Sequence, residues 1–139
     1  MLLSGGISIA ATEKIDLQAT VGYHSTSTNA SNGKIEFTRV PVELLAFYNL
    51  EGKWRVGAGV RSATGAKLST SGVAGSLGSY EFNPSLGTVL EAQYFFDKAG
   101  SGRAKYGINV RYISESFEEK VSKTSVNGNS LGAGFFIYY

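Results

Sequence analysis

Residues 80 to 96 alternate between apolar and polar side chains, and this alternation limits the possible fold more than any other feature of the chain. The even positions, from Tyr80 to Phe96, are almost all apolar and carry an aromatic pair at each end, whereas the odd positions include Glu81 and Glu91. Successive residues of a β-strand point to opposite faces. The segment therefore predicts one continuous strand with an apolar, aromatic-bounded face and a polar face, which is typical of a strand that crosses a lipid bilayer.

The same alternation recurs along the whole chain, in seven segments separated by turn sequences. The segments cover residues 3–11, 16–24, 35–48, 54–61, 80–96, 105–112 and 130–139. The third segment changes parity near Thr38 and Arg39, which predicts a β-bulge there. Short turns alternate with long Ser/Thr/Asn/Gly-rich segments at 25–33, 69–79 and 118–129, which we interpret as loops. The pattern predicts an antiparallel up-and-down sheet with its short turns at one end.

Composition limits the class of protein further. The 139 residues suit a single domain over 1–139, and no apolar run approaches the length of a membrane helix. A closed β-barrel is the other structure that leaves no backbone group unpaired in lipid. The net charge of +2 gives no reason to expect a nucleic-acid partner, and the lack of cysteine excludes disulfide and thiolate chemistry.

The carboxyl-terminal segment, residues 132–139, carries the most specific motif. Gly134, the hydrophobic Ile137 at the third position from the end and the terminal aromatic Tyr139 resemble the carboxyl-terminal signal for assembly of outer-membrane β-barrel proteins. Tyr139 stands in place of the usual Phe. Together with the seven segments, this resembles the small outer-membrane β-barrel proteins of Gram-negative bacteria, OmpX-like and OmpW-like, often labelled porin-family. The resemblance implies an all-β, antiparallel up-and-down transmembrane β-barrel, monomeric in the outer membrane among lipid and lipopolysaccharide. It also implies that the barrel-assembly machinery binds the carboxyl-terminal strand.

The number of segments is odd, whereas bacterial single-chain barrels have an even number of strands. We therefore expect seven strands of an eight-stranded barrel, with one further strand upstream of Met1 in an amino-terminally truncated chain.

The polar face of the predicted barrel carries charges of both signs. Because a barrel of about eight strands has room only for side chains, we expect ion pairs to fill its lumen. The residues predicted to form this lumen charge network are Glu43, Arg55, Arg61, Glu91, Lys105 and Arg111, and the wider inward set adds Arg39, Glu81 and Glu115. The residues predicted to form an aromatic girdle beside the short turns are Tyr48, Trp54, Tyr94, Phe96, Tyr106 and Tyr139.

These features favour a structural or surface-interaction barrel, with no catalytic, cofactor or metal site expected. A narrow porin-like passage for small or apolar solutes is one alternative. A second is a lipid A deacylase-like enzyme, because His24, Ser25, Ser27 and Glu36 lie near one rim. A third is a soluble lipocalin-like binder, which has similar strand spacing but apolar residues inside.

Overall fold

The computed structural model describes residues 2–30, 33–72, 80–96 and 104–139. These residues form β-strands joined by turns, and no helix among them is long and apolar enough to cross a membrane. The strands are β1 (Leu2–Ala10), β2 (Ile15–Ala30), β3 (Gly33–Asn49), β4 (Trp54–Gly72), β5 (Tyr80–Glu81), β6 (Ser85–Phe95), β7 (Lys105–Glu118), β8 (Ser125–Asn127) and β9 (Ser130–Tyr138).

All the strands belong to one antiparallel sheet. The long strands follow the order β1-β2-β3-β4-β6-β7-β9, so each pairs with the next long strand in the chain. The two short strands pair with interior strands beyond the ends of the longer ladders, β5 with β4 and β8 with β7. The prediction of an all-β, antiparallel up-and-down sheet is confirmed. We call the end with the β1–β2 and β3–β4 turns the turn end, and the opposite end the loop end.

The prediction of one continuous strand over 80–96 is wrong. The segment breaks into β5 and β6 because Pro84 has no amide hydrogen to donate to a ladder. Beside it, the backbone N–H of Asn83 donates to the carbonyl of Glu118 (2.8 Å), and that of Phe82 to Ala66 (3.0 Å). The break changes which residues point to which face.

The predicted loop at 25–33 is mostly strand. Ser25 pairs with Thr38 and Asn29 with Lys34, and β4 stays paired with β3 as far as Gly33, so β2, β3 and β4 extend together beyond β1. Residues 25–29 carry Thr at alternate positions, and Thr is favoured in β-strands, which explains the extension. Of the other predicted loops, 69–72 belongs to β4, 118–129 contains β8, and 73–79 lies outside the described residues.

A β-bulge lies where the parity of the sequence changes. The register of β3 on β4 shifts between Thr38 and Val40, and the extra residue is in β4, where Gly65 has a φ of 61°. Glycine adopts this left-handed conformation without steric cost. The side chains of β3 point alternately to the same two faces before and after the bulge. The change in its sequence pattern therefore reflects a change of environment along one face.

The sheet curls around one face, which we call the inner face. The Tyr138 hydroxyl of β9 donates to Gln18 Oε1 of β2 over 2.5 Å, and Arg39 of β3 contacts Glu115 of β7. These strands are not neighbours in the sheet, so only a strongly curved sheet brings their side chains together. In the described residues, the backbone of β1 pairs only with β2 and that of β9 only with β7, which leaves an open seam between β1 and β9.

Candidate functional site

Burial across the sheet is the reverse of that in a water-soluble sheet. On β6, Leu90 is 57% exposed, whereas its neighbour Glu91 is only 7% exposed. On β3, Leu44 is 60% exposed and Glu43 is 4% exposed. Apolar side chains thus cover the outer face, whereas the inner face holds the buried charged side chains together with an apolar cluster of Leu45, Phe47, Val89 and Ile113.

Glu43 lies at the centre of the buried charges. Its Oε1 accepts a hydrogen bond from Arg61 Nη1 (2.9 Å), and its Oε2 accepts one from Arg111 Nη2 (2.6 Å). The Thr20 hydroxyl donates to the same Oε2 over 3.2 Å. One carboxylate on β3 therefore joins β2, β4 and β7 across the interior.

Two further carboxylates extend this arrangement towards both ends of the sheet. Towards the loop end, Glu115 contacts Arg39 and lies 3.3 Å from Arg61 Nε. Towards the turn end, Glu91 Oε2 lies 3.5 Å from Arg111 Nε. The glutamate also accepts hydrogen bonds from Asn109 Nδ2 (2.6 Å) and Gln93 Nε2 (2.7 Å).

The result is an alternating chain that we call the charge network. Its members, in order of contact, are Arg39, Glu115, Arg61, Glu43, Arg111 and Glu91. Three arginines are matched by three glutamates, so its formal charge is zero. Pairing of this kind offsets the large cost of removing ions from water.

Arg55 forms a second neutral centre nearer the turn end. Its Nη1 donates to Asp16 Oδ2 (3.1 Å) and its Nε donates to Gln93 Oε1 (2.6 Å). The guanidinium lies over the rings of Phe47 (4.3 Å to the centroid) and Tyr138 (4.6 Å), an arrangement that suits the weakly hydrated arginine cation.

Aromatic rings lie at each end of the charged interior. At the turn end, Phe95 stacks edge-on against Phe136 with ring centroids 5.0 Å apart, beside Tyr138. At the loop end, the rings of Phe37, Phe82 and Phe117 contact one another edge-to-face, with Ala63 and Ala66 beneath them. The charged layer is thus enclosed between two aromatic clusters.

The structure brings together most of the residues predicted for a lumen charge network. Glu43, Arg61, Glu91 and Arg111 belong to the charge network, and Arg55 is buried beside it. Lys105 is half-buried at the turn end, opposite Tyr138 in the ladder, and is not a member of the network.

Two expectations about facing are wrong at the loop end. Glu81, expected inside, is exposed and pairs with Lys120 Nζ at 3.1 Å, while Phe82, expected on the apolar outer face, packs inside against Phe117. The break at Pro84 explains both, because it offsets β5 from the alternation of β6.

Sequence reasoning also left several polar residues out of the predicted network. Arg39 and Glu115 were expected inside but not as network members, and the uncharged partners were not identified. These partners are Gln18, Thr20, Gln93, Asn109 and Tyr138. The first four share a signal of parity, because each occupies the same alternate positions as the charged residues of its strand, whereas the strand of Tyr138 has no charged residue.

The residues predicted to form an aromatic girdle lie around the turn end of the outer face. Ring contacts run from Trp54 to Tyr94 (4.9 Å), from Tyr94 to Phe96 (6.2 Å) and from Phe96 to Tyr106 (5.9 Å). Tyr48 is exposed one strand away, and Tyr139 is fully exposed beyond the end of β9. Gly134 and Ile137, of the proposed assembly signal, lie on β9 itself.

His24 is held by Arg39 rather than by a carboxylate. Arg39 Nε donates to His24 Nδ1 over 2.9 Å, and His24 Nε2 lies 3.2 Å from the Thr26 hydroxyl. In a Ser–His–acid triad, Nδ1 carries a hydrogen and donates a hydrogen bond to the acid. Here Nδ1 is an acceptor, so this geometry does not orient His24 as a general base.

The described residues contain no cluster of three or more metal-ligating side chains. The chain matches no protein-family model, no curated protein and no solved structure.

Proposed function

We propose that this chain forms the membrane-spanning wall of an outer-membrane β-barrel with a structural or surface-interaction role. The observation that carries the proposal is the reversed burial, with Leu90 and its row exposed while Glu91 and its row are enclosed. In water, such an outer face would leave a large apolar area hydrated, whereas acyl chains solvate it without cost. The aromatic girdle at one end of the apolar band supports the same location.

The interior is a plug in this proposal. The charge network is neutral, each of its carboxylates is held by at least two donors, and aromatic clusters lie above and below it. Ion conduction needs a path that is polar and continuous, with sites that release the ion again. A lipocalin-like binder would need the opposite arrangement, with apolar side chains inside.

The position of Trp54 allows a direct test, because it is the chain's single tryptophan. In vesicles, we expect its fluorescence to be quenched most by phospholipids brominated near the headgroup, since Trp54 belongs to the girdle. A matched reporter, Trp54→Phe combined with Leu90→Trp, should be quenched most by bromines deep in the acyl chains. Equal fluorescence in brominated and ordinary vesicles for both proteins would contradict the membrane location.

Conductance distinguishes a plug from a passage. We expect the unmodified protein in planar bilayers to give no discrete channel openings. The double variant Phe37→Ala/Phe117→Ala should also stay closed, because the charge network persists beneath the removed rings. Regular unitary openings of the unmodified protein would favour a narrow passage instead.

A further inference from the structure

A cavity lies on the outer face near the loop end, and we call it the hydroxyl cavity. Val60 of β4 pairs with Thr88 of β6, which pairs with Ser114 of β7, so three adjacent strands contribute to its wall. The short strand β8 closes one side, where Asn127 pairs with Ser116. The cavity has a volume of about 610 Å³, which lies within the usual range of about 300 to 1,000 Å³ for small-molecule sites.

A break in the ladder between β8 and β9 shapes the hydroxyl cavity. On β7, β8 pairs with residues 116–118 and β9 with residues 105–113, so the ladder is interrupted between them. There the backbone N–H of Glu115 donates to Asn129 Oδ1 (3.0 Å), and that of Asn129 donates to Asn127 Oδ1 (2.8 Å). The two asparagine side chains are thus held in place by their oxygens. Among the described residues neither Nδ2 has a partner, so both remain available as donors.

The hydroxyl groups that line the cavity are also available. They make no hydrogen bond to any other residue that the structure describes, and they belong to Thr88, Ser114, Ser116 and Ser125. Each hydroxyl offers one donor and two acceptor lone pairs, and each amide nitrogen offers donors. The wall therefore presents donors and acceptors together, as a ligand rich in hydroxyl groups requires.

The hydroxyl cavity is electrically neutral. No lysine or arginine lines it among the described residues, and its one acidic residue, Glu115, turns its carboxylate inward to Arg39 and Arg61. Phosphate sites rely on such cations or on helix N-termini. Aliphatic surface is present as well, from Val60 and from Leu86, which is 75% exposed. This combination matches a sugar ring, which has hydroxyl groups at its edge and C–H groups on its faces.

We propose that the hydroxyl cavity binds a neutral sugar unit, carried by a glycolipid headgroup or by a free oligosaccharide. The cavity lies where the outer face changes character, because the pair Leu90 and Tyr112 is followed towards the loop end by the pair Thr88 and Ser114. In the proposed membrane location this is the level of the lipid headgroups, so the acyl chains of a glycolipid would lie along the apolar face. Only the glycolipid source rests on the proposed membrane location, since the sugar contacts are the same for both sources.

Titration with free sugars in detergent micelles tests the recognition without a membrane. The probes are the neutral disaccharides maltose, lactose and chitobiose, and the detergent is dodecylphosphocholine, which contains no sugar. We expect at least one probe to shift the amide NMR signals of Ser114, Ser116 and Asn127, while those of Thr28 on β2 stay unchanged. Inorganic phosphate, the charged comparison, should shift none of them.

Conservative variants test the hydroxyl groups themselves. Thr88→Val and Ser116→Ala each remove one hydroxyl, and each should weaken sugar binding about two- to tenfold, the effect of one net hydrogen bond. Thr28→Val is the matched control, because Thr28 is also an exposed threonine of a strand near the loop end but does not line the cavity. It should leave the affinity unchanged, whereas Ser116→Trp, which fills the cavity, should abolish binding.

Vesicles distinguish the two sources of the sugar. The protein is placed in phosphatidylcholine vesicles that contain digalactosyl diacylglycerol and phosphatidylglycerol, and native mass spectrometry identifies the lipids that it retains. Retention of the galactolipid in preference to phosphatidylglycerol, lost in Ser116→Trp, assigns the site to glycolipids. Binding of a free disaccharide without such retention assigns it to free oligosaccharides.

Two results would overturn the proposal. One is that no disaccharide binds and the galactolipid is not preferred, and the other is that Thr28→Val weakens binding as much as Thr88→Val. Because the sugar titration is made in micelles, its failure is distinct from a failure of Trp54 quenching in vesicles.

Discussion

Replacing Glu43 by alanine is expected to lower the free energy of unfolding by about 3 to 5 kcal/mol, the usual cost of removing one partner of a buried ion pair. Glu43 holds Arg61 and Arg111 at once, and both guanidinium groups are buried or nearly so. Without it, the charge network would contain three arginines and two glutamates, and its surplus positive charge could not reach water. Denaturant unfolding of the protein in lipid vesicles measures the effect.

Glu36 provides the matched control for Glu43. It lies on the same strand and forms an ion pair of similar length with Lys34 (2.8 Å), but the side chains of Lys34 and Glu36 are 49% and 35% exposed. Because water and salt screen such a pair, Glu36→Ala should have a far smaller effect than Glu43→Ala. Equal effects of the two substitutions would show that the interior is hydrated and that the charge network is not enclosed.

A double substitution separates lost pairing from lost packing. Glu43→Met with Arg61→Met restores charge balance, because Arg39 still pairs with Glu115 and Arg111 with Glu91. The double variant should therefore be less destabilised than the sum of the two single variants. An additive result would mean that Glu43 and Arg61 act independently, contrary to their 2.9 Å contact.

Much of the fold follows from the period of two, because a strand that separates two environments must alternate. The charged residues at the centre of the sheet, such as Glu43 and Arg61, were predictable for this reason. At the loop end the rule fails, because Phe37 and Phe117 make the interior apolar as well. There an apolar residue no longer indicates the outer face, and alternation alone cannot assign Phe82.

Pairing between distant residues was not predictable from local patterns. The break at Pro84 is stabilised by backbone bonds to Ala66 and Glu118, which lie far away in the sequence. The contact between Gln18 and Tyr138 depends on how tightly the whole sheet curls. Such features depend on the sum of the twist and tilt of all the strands, which no single segment specifies.

Replacing Leu90 by arginine is expected to cost about 2 to 4 kcal/mol in a bilayer, the measured range for a cation on the lipid face of a barrel near the midplane. Leu90 lies on the outer face between Ala58 and Tyr112 in the sheet and is 57% exposed. Since there is free space around it, steric strain contributes little to this cost. The free energy of unfolding in lipid vesicles measures it.

Val121→Arg is the matched control, because it makes a similar change of an exposed apolar side chain. Val121 lies in the turn beyond β7 at the loop end and is 88% exposed. There the arginine would reach water, so the free energy of unfolding should change little. If the outer face were in contact with water, Leu90→Arg would be as well tolerated as Val121→Arg, because both side chains already lie at the surface. Equal tolerance of the two arginines in vesicles would therefore contradict a lipid-facing outer face. A loss of unfolding free energy for Leu90→Arg alone requires that the medium around the outer face excludes charge.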